Sequence, residues 1–203
     1  MLELLDKNPE WRVLDLGSGT DGWKSATIYA DCEDCHSSYP DGNFVQTDAS
    51  STPFKDKEFD FVAATHIAEH VEDPFKFCKE LERIAKRGYI EVPTPFFDNL
   101  IEGNSNPPPH GHVWWVNYDD VKDELVFQPR LAILQEILEP ADTTRLLPLF
   151  KDVMVTRVYW ENTIQLRQDE LIFTYVAGNS DPKRVLDLRN KELPPDKMRL
   201  GRW

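Results

Sequence analysis

The sequence is short of the features that mark secreted and membrane-spanning proteins. Its three cysteines are few and odd in number, which excludes a disulfide framework and favours a reducing compartment. No stretch approaches the roughly 18 consecutive apolar residues of a membrane span. The first residues lack the positive region and long apolar run of a secretory signal. We therefore expect a cytoplasmic protein without a membrane span.

Basic residues are also scarce. The chain has 23 lysines and arginines against 36 acidic residues, a formal net charge of −13. A field of this sign repels nucleic acid and anionic lipid, so we expect a small-molecule substrate and no nucleic-acid partner. The 203 residues, 40% of them hydrophobic, suit one globular domain. We assign that domain to residues 1–178, followed by a polar tail over residues 179–203, and leave the oligomeric state open.

Short apolar runs bounded by polar residues predict β-strands. From Pro74 the apolar residues instead recur every three or four positions, which predicts an amphipathic helix with Gly88 as its C-terminal stop. Short strands joined by crossovers favour a mostly parallel α/β sheet. The predicted strands are residues 11–16, 26–30, 43–47, 59–65, 89–93, 125–127, 153–160 and 171–177.

A glycine-rich loop follows the first predicted strand directly. Gly17, Gly19 and Gly22 would let bare backbone approach a ligand, because a Cβ atom would block it. A dinucleotide site needs a full helix after the third glycine, but only about eight residues separate Gly22 from the end of the second strand. Asp15 would repel a pyrophosphate, yet it could hold an ammonium group. The loop therefore favours a ligand with a cationic amino-acid part over NAD.

Residues 13–19, Val-Leu-Asp-Leu-Gly-Ser-Gly, resemble the first motif of class I S-adenosylmethionine (SAM) methyltransferases of the type 11 kind. The resemblance continues through Asp31, Asp48 and residues 69–74, and covers roughly residues 11–95. It implies a Rossmann-like fold, α/β with a mostly parallel twisted sheet and flanking helices. In this chain the first crossover helix is shortened, and residues 97–150 form an inserted lid or substrate segment after the fifth strand.

The resemblance also implies the residues that bind SAM. The two glycines of the motif would line its methionine and ribose, Asp15 would lie near its amino group, and Asp31 would bind the ribose hydroxyls. Asp48 and Ala49 would contact the adenine. Solvated strand-end acids remain the alternative for Asp31 and Asp48, and the missing helix leaves open whether the pocket has decayed. The implied cofactor-binding set is Asp15, Gly17, Ser18, Gly19, Asp31, Asp48, Ala49 and Thr65.

Histidines cluster at two places, His66 and His70 around Glu69, and His110 with His112. Both segments follow strands, so they can meet at the carboxyl edge of the sheet, where ligands bind. The candidate catalytic residues are His66, Glu69, His70 and His112, and the candidate metal ligands are Glu69, His70 and His112.

Three interpretations of the cluster stay open. A divalent ion could orient and acidify a substrate hydroxyl, a histidine could act as general base, or the histidines could be structural. The segment resembles ubiquinone-biosynthesis O-methyltransferases and the metal site of small-RNA 2′-O-methyltransferases, in which a glutamate often stands at the position of His66.

Chemistry narrows the function. Methyl transfer is an in-line displacement that needs alignment, and a hydroxyl acceptor needs a base or a metal whereas an amine does not. We therefore expect SAM-dependent methylation of a small-molecule or sugar-like hydroxyl. The alternatives are a degenerate fold that binds a nucleoside or a protein without catalysis, and a nicotinamide oxidoreductase, which Asp15 and the missing helix disfavour.

Overall fold

The computed structural model describes residues 2–98, 111–130, 154–169, 173–177 and 181–186. Its contacts divide the chain into two compact units, Met1–Gln168 and Asp169–Trp203. The second unit holds an antiparallel pair of strands, β10 (Phe173–Ala177) and β11 (Asp181–Leu186). Strand β11 falls within the stretch expected to be a polar tail, and the domain boundary at residue 178 stays a prediction.

The first unit is built on a six-stranded sheet. Its strands are β1 (Val13–Leu16), β2 (Ile28–Asp31), β3 (Phe44–Gln46), β4 (Phe61–Thr65), β5 (Arg87–Pro93) and β8 (Val155–Glu161). They lie in the order β3-β2-β1-β4-β5-β8. The first five strands pair in parallel, and β8 runs antiparallel to β5. This arrangement confirms the predicted fold class.

One face of this sheet packs against helix α2 (Pro74–Ile84). Asp73 caps the helix, since its side chain accepts the amides of residues 75 and 76, and Pro74 suits the first turn. The helix ends at Ile84 and not at Gly88, because Ala85 turns to extended backbone and bridges Phe59. Gly88 lies inside β5, where a Cβ would come within 2.6 Å of the Val62 carbonyl oxygen.

The crossovers on the other side are short. Residues 17–27 form turns without a helix, and the link from β2 to β3 holds one 3-10 turn, His36–Ser38. The shortened first crossover is thus confirmed. Helix α1 (Leu2–Asp6) and aromatic side chains cover this face instead. The residues of this smaller core are Leu5, Val13, Phe61, Ala63 and Tyr89, with Trp11, Trp23 and Ala26 packed against them.

The chain after β5 forms helix α3 (Pro95–Asp98) and contributes to a second, three-stranded sheet. The strands of this sheet are β6 (Trp114–Asp119), β7 (Glu124–Pro129) and β9 (Leu166–Gln168), in the order β6-β7-β9. Val116, Leu125 and Phe127 belong to the same core cluster as α2, so the second sheet packs beside that helix. The predicted insertion also includes residues 99–110 and 131–150, which lie outside the described residues, as does His110.

Among the described residues, no helix combines the length and the apolar character needed to cross a membrane.

Candidate cofactor and metal site

The glycines of the loop have different roles. Gly17 and Gly19 have φ of +80° and +53°, the left-handed region that favours glycine. Gly22 has ordinary backbone, but a Cβ there would lie 2.6 Å from the Tyr29 ring and 2.8 Å from Asp15 Oδ2. Gly22 is therefore explained by close packing inside the protein, which corrects the expectation that it bares backbone to a ligand.

The first amides of the loop are already hydrogen bonded within the chain. The amides of residues 17 and 18 donate to the Ala30 carbonyl at 2.7 and 3.1 Å. The Gly19 amide donates to Asp31 Oδ2 at 2.9 Å. A pyrophosphate would have to compete for these donors, so the geometry agrees with a cationic ligand rather than a dinucleotide.

Asp15 is the buried acid beneath this loop, with only 1% of its surface exposed. Its Oδ2 accepts the Trp23 amide at 2.7 Å, while its Oδ1 is buried without a hydrogen-bond donor among the described residues. Burial raises the pKa of Asp15 to about 6, against the lowering effect of the Trp23 amide. An ammonium group at Oδ1 would supply the missing partner, so the residues present fit the amino group of SAM.

Three aromatic side chains, Trp23, Tyr29 and Tyr39, pack beside the loop, where no crossover helix is present, and we call them the aromatic wall. Trp23 donates its indole N–H to the Thr65 hydroxyl at 3.1 Å, and the Tyr29 hydroxyl donates to the Trp23 carbonyl at 2.9 Å. Tyr39 stacks on Tyr29 with 4.2 Å between ring centroids, and its hydroxyl accepts the Gly22 amide at 2.9 Å. Thr65 therefore braces this wall, and its predicted contact with the cofactor stays a prediction.

The remaining predicted cofactor residues lie at the ends of β2 and β3. Asp31 Oδ1 accepts the Glu33 amide at 3.0 Å, and each carboxylate oxygen retains capacity for a second hydrogen bond. Asp48 is exposed and accepts the Ser50 amide at 2.8 Å, while Ala49 is buried. Ribose and adenine binding by these residues stay predictions.

Glu69 is the centre of the histidine cluster. It is 1% exposed, and neither carboxylate oxygen has a hydrogen-bond donor among the described residues. Its carbonyl accepts the amides of Val113 and Trp114 at 2.9 and 3.1 Å. These two bonds fasten the start of β6 to the turn after β4 and bring His112 beside Glu69.

The structure brings together the three predicted metal ligands. One ligand atom from each of Glu69, His70 and His112 lies within 4.8 Å of the others. His112 Nε2 is 3.9 Å from Glu69 Oε1, and the two imidazole rings meet edge to face at 4.5 Å. His70 Nδ1 lies 3.1 Å from the Gly111 carbonyl oxygen, which leaves its Nε2 for a ligand.

His66 lies at the edge of this group and is half exposed. Its backbone has φ +54°, and its ring nitrogens lie 3.5 Å from Glu69 Oε1 and 3.7 Å from Glu91 Oε1. The carboxylates of Glu69 and Glu91 raise the pKa of His66 to about 9. In turn His66, with Tyr89 and Arg157, lowers the pKa of Glu91 to about 2.

The cluster fits a divalent cation. Glu69 forms no hydrogen bond within the described residues, and its neighbour His66 is half exposed and 3.5 Å away. Buried charges are normally paired or bound to a metal. Two imidazoles and one carboxylate are a common donor set for transition metals. Burial also lowers the pKa of His70, which favours the neutral, ligating form.

Asp98 is not among the site residues that the sequence predicts. It is 1% exposed, and its carboxylate accepts hydrogen bonds from His112, Trp115 and Arg130. The only hint in the sequence is that an acidic residue directly follows the apolar residues Pro95–Phe97. An acidic residue in such a position is ordinarily exposed.

Comparison with known families agrees with this geometry. Residues 18–90 match the family model described as a methyltransferase domain. Residues 18–90 are therefore similar to a methyltransferase domain. The match covers the part of the glycine loop from Ser18, the strands β2 to β4, helix α2 and the start of β5. The resemblance to class I methyltransferases is confirmed.

Solved structures similar to this chain include two bacterial proteins at about one quarter identity. The YcgJ protein from Bacillus subtilis is 26% identical over 55% of this chain and 60% of its own, with a TM-score of 0.42. A SAM-dependent methyltransferase from Thermotoga maritima, described as a possible histamine N-methyltransferase, is 25% identical over 45% and 48%, with a TM-score of 0.37.

A SAM-dependent methyltransferase from Aquifex aeolicus is 15% identical over 78% of this chain and 85% of its own, with a TM-score of 0.43. No curated protein matches the chain. The chain spans about half the length of the Thermotoga structure and three fifths of the Bacillus one.

Proposed function

We propose that the protein is a SAM-dependent methyltransferase that methylates a hydroxyl group of a small-molecule or sugar-like acceptor, with a divalent ion held by Glu69, His70 and His112. The observation that carries the proposal is the buried Glu69 carboxylate, which forms no hydrogen bond within the described residues. It has the half-exposed His66 3.5 Å from Oε1 and faces the imidazoles of His70 and His112. A divalent cation is the partner that satisfies this set.

The cofactor half of the proposal rests on the family match and on Asp15. SAM supplies an electrophilic methyl group for an in-line displacement. The protein's task is to hold the cofactor and align it. Asp15 Oδ1, buried and without a donor in the described part of the chain, is suited to anchor the amino group. The left-handed Gly19, where nothing lies within 4 Å of an added Cβ, lets the backbone lie close to the ligand.

The acceptor half rests on the histidine cluster. A bound ion would acidify and orient a substrate hydroxyl. His70 and His112 keep their Nδ1 atoms on protein acceptors, which leaves their Nε2 atoms for ligation. Two nitrogens and one oxygen favour a transition ion such as Mn²⁺, Fe²⁺, Co²⁺ or Zn²⁺ over Mg²⁺, which prefers an all-oxygen octahedral shell.

Calorimetry on the whole chain tests the two halves separately. SAM and S-adenosylhomocysteine should bind at micromolar concentration and NADH should not. NADH binding without SAM binding would overturn the cofactor assignment. In a second titration, Mn²⁺ or Zn²⁺ should bind wild-type protein and fail to bind Glu69→Gln.

Turnover is then read as S-adenosylhomocysteine release with panels of hydroxyl and amine acceptors. Loss of activity in EDTA and recovery with Mn²⁺ or Zn²⁺ support the metal. Full activity in EDTA on a hydroxyl acceptor would replace the metal with a general base, for which the lowered pKa of His70 is the supporting observation. Methylation confined to amines would contradict the proposed acceptor.

The second candidate function is a non-catalytic binding module of methyltransferase origin. The turns that replace the first crossover helix favour it, because they leave less backbone around the cofactor. SAM binding without turnover across both acceptor panels, in the presence of a bound metal, would favour this module over the enzyme.

A further inference from the structure

Asp98 is a buried charge outside the predicted site. It ends helix α3, directly after β5, where its amide donates to the Thr94 carbonyl at 2.8 Å. With only 1% of its surface exposed, its carboxylate depends on neighbouring donors, because burying an unpaired carboxylate costs several kcal/mol.

The donors around Asp98 are divided between its two oxygens. Oδ1 accepts the Nδ1–H of His112. Oδ2 accepts the Trp115 indole N–H at 3.0 Å and the Arg130 Nε–H at 2.5 Å. Arg130 is a permanent cation, and its Nε contact at Oδ2 makes Asp98 the carboxylate of an ion pair. Asp98 is therefore an anion whose acceptor Oδ1 faces His112.

A carboxylate at Nδ1 determines where the imidazole proton lies. A carboxylate can only accept, so the neutral ring keeps its proton on Nδ1 and its lone pair on Nε2. Nε2 of His112 is the atom 3.9 Å from Glu69 Oε1. Metal-binding histidines are commonly oriented in this way by a carboxylate on the other ring nitrogen.

We propose that Asp98 is a positioning residue, which fixes the tautomer and orientation of His112 so that Nε2 faces Glu69 as a metal ligand. The proposal rests on the proposed function, since it needs the ion at Glu69, His70 and His112. The alternative is a purely structural role, in which the Asp98–Arg130 pair joins α3 to the second sheet.

The substitution Asp98→Asn separates the two roles. Trp115 and Arg130 both donate, so the amide oxygen of the introduced side chain takes their side and its NH₂ group faces His112 Nδ1. That reverses the tautomer and puts a proton on Nε2. Trp115→Phe is the matched control, because it removes a donor from the same carboxylate without touching His112.

The measurements are calorimetric Kd values for Mn²⁺ or Zn²⁺ and for SAM. Asp98→Asn should weaken metal binding about 10- to 100-fold, while Trp115→Phe changes it less than about threefold and neither variant changes SAM affinity. Equal loss of metal binding in both variants, or wild-type metal binding by Asp98→Asn, overturns the positioning role. If wild-type protein binds no ion, the proposed metal site and this role fail together.

A second test uses the wild-type protein and measures the position of the proton on the His112 ring, so it does not depend on how the variants fold. A long-range ¹H–¹⁵N correlation spectrum of the metal-free protein, with the His112 signals assigned from His112→Gln, shows which ring nitrogen carries the proton. Nδ1–H is expected. Nε2–H, or a ring averaging between the two tautomers, overturns the proposal even where metal binding itself is confirmed.

Discussion

The glycine loop and the histidine cluster each contain a carboxylate that is 1% exposed, Asp15 in the first and Glu69 in the second. In the loop, backbone donors are matched within the chain, and one oxygen of Asp15 lacks a partner among the described residues. In the cluster, both oxygens of Glu69 lack a donor within that same part of the chain. The loop is thus suited to a single ammonium group, whereas the cluster is suited to the proposed divalent cation. A substitution in the loop should therefore weaken SAM binding without changing metal binding, and a substitution in the cluster should do the reverse.

Glu69→Gln should have the largest effect. Because it removes a ligand charge, metal affinity and turnover should each fall by more than about 100-fold, with SAM affinity within about threefold. Calorimetry with Mn²⁺ or Zn²⁺ and with SAM measures the two affinities, and S-adenosylhomocysteine release measures turnover. Parallel losses of SAM binding and turnover would refute the assignment of Glu69.

Asp15→Asn should affect the other region. The ammonium of SAM loses a charged acceptor, which corresponds to about a 10- to 100-fold weaker Kd for SAM, while Mn²⁺ or Zn²⁺ affinity stays at the wild-type value. Calorimetry with each ligand decides. If metal binding falls together with SAM binding, the two regions are coupled and the comparison fails.

The pH dependence of SAM binding sharpens the role of Asp15. Its pKa of about 6 means that below this pH a cationic ligand must displace a proton, so affinity should fall about tenfold per pH unit. Calorimetry in buffers of different ionisation enthalpy measures the proton released. In the cofactor-free protein, folding stability depends on pH with the opposite sign. A carboxyl pKa raised from 3.8 to about 6 contributes stability that is fully present below pH 3.8 and is lost as the pH rises through about 6. Asp15→Asn should abolish both slopes.

Gly22→Ala gives the smallest effect and tests the aromatic wall. The new Cβ meets the Tyr29 ring at 2.6 Å, which should cost about 1–3 kcal/mol of stability. Gly19→Ala is the control, since nothing lies within 4 Å of its Cβ and its positive φ alone costs about 1–2 kcal/mol. Urea unfolding measures the free energy of unfolding of both variants. If Gly19→Ala is the more destabilised of the two, the Tyr29 ring moves aside at little cost and the aromatic wall is not tightly packed.

The fold could be predicted where short-range patterns determine it. The apolar runs placed β1 to β5 within about two residues, and the period of three to four placed α2. Strand β6 was not predicted, because Trp114–Asp119 begins with three consecutive apolar residues and lacks a regular alternation of apolar and polar residues. Gly88 was misassigned as a helix stop because its need for space comes from Val62 and Trp160 on neighbouring strands, which no local pattern contains.

The candidate site could be predicted in part for the same reason. Glu69 and His70 follow β4, and parallel strands share one carboxyl edge, so their approach to His112 was foreseeable. Asp98 was not, because only the folded chain shows that an acid near a surface-like turn is buried under Trp115 and Arg130. Gly22 likewise looks like a ligand-binding glycine until Tyr29 is seen against it.

The carbonyl of Glu69 accepts the amides of Val113 and Trp114, so binding of the proposed ion would be thermodynamically coupled to attachment of β6 at the turn after β4. An ion bound by both Glu69 and His112 would join two segments that are far apart in the sequence. Hydrogen exchange at the Trp114 amide should therefore slow as the ion concentration rises, and the melting temperature should increase with the logarithm of that concentration. Conversely, a change that detaches β6 from the Glu69 carbonyl would release the proposed ion while the six-stranded sheet is still folded.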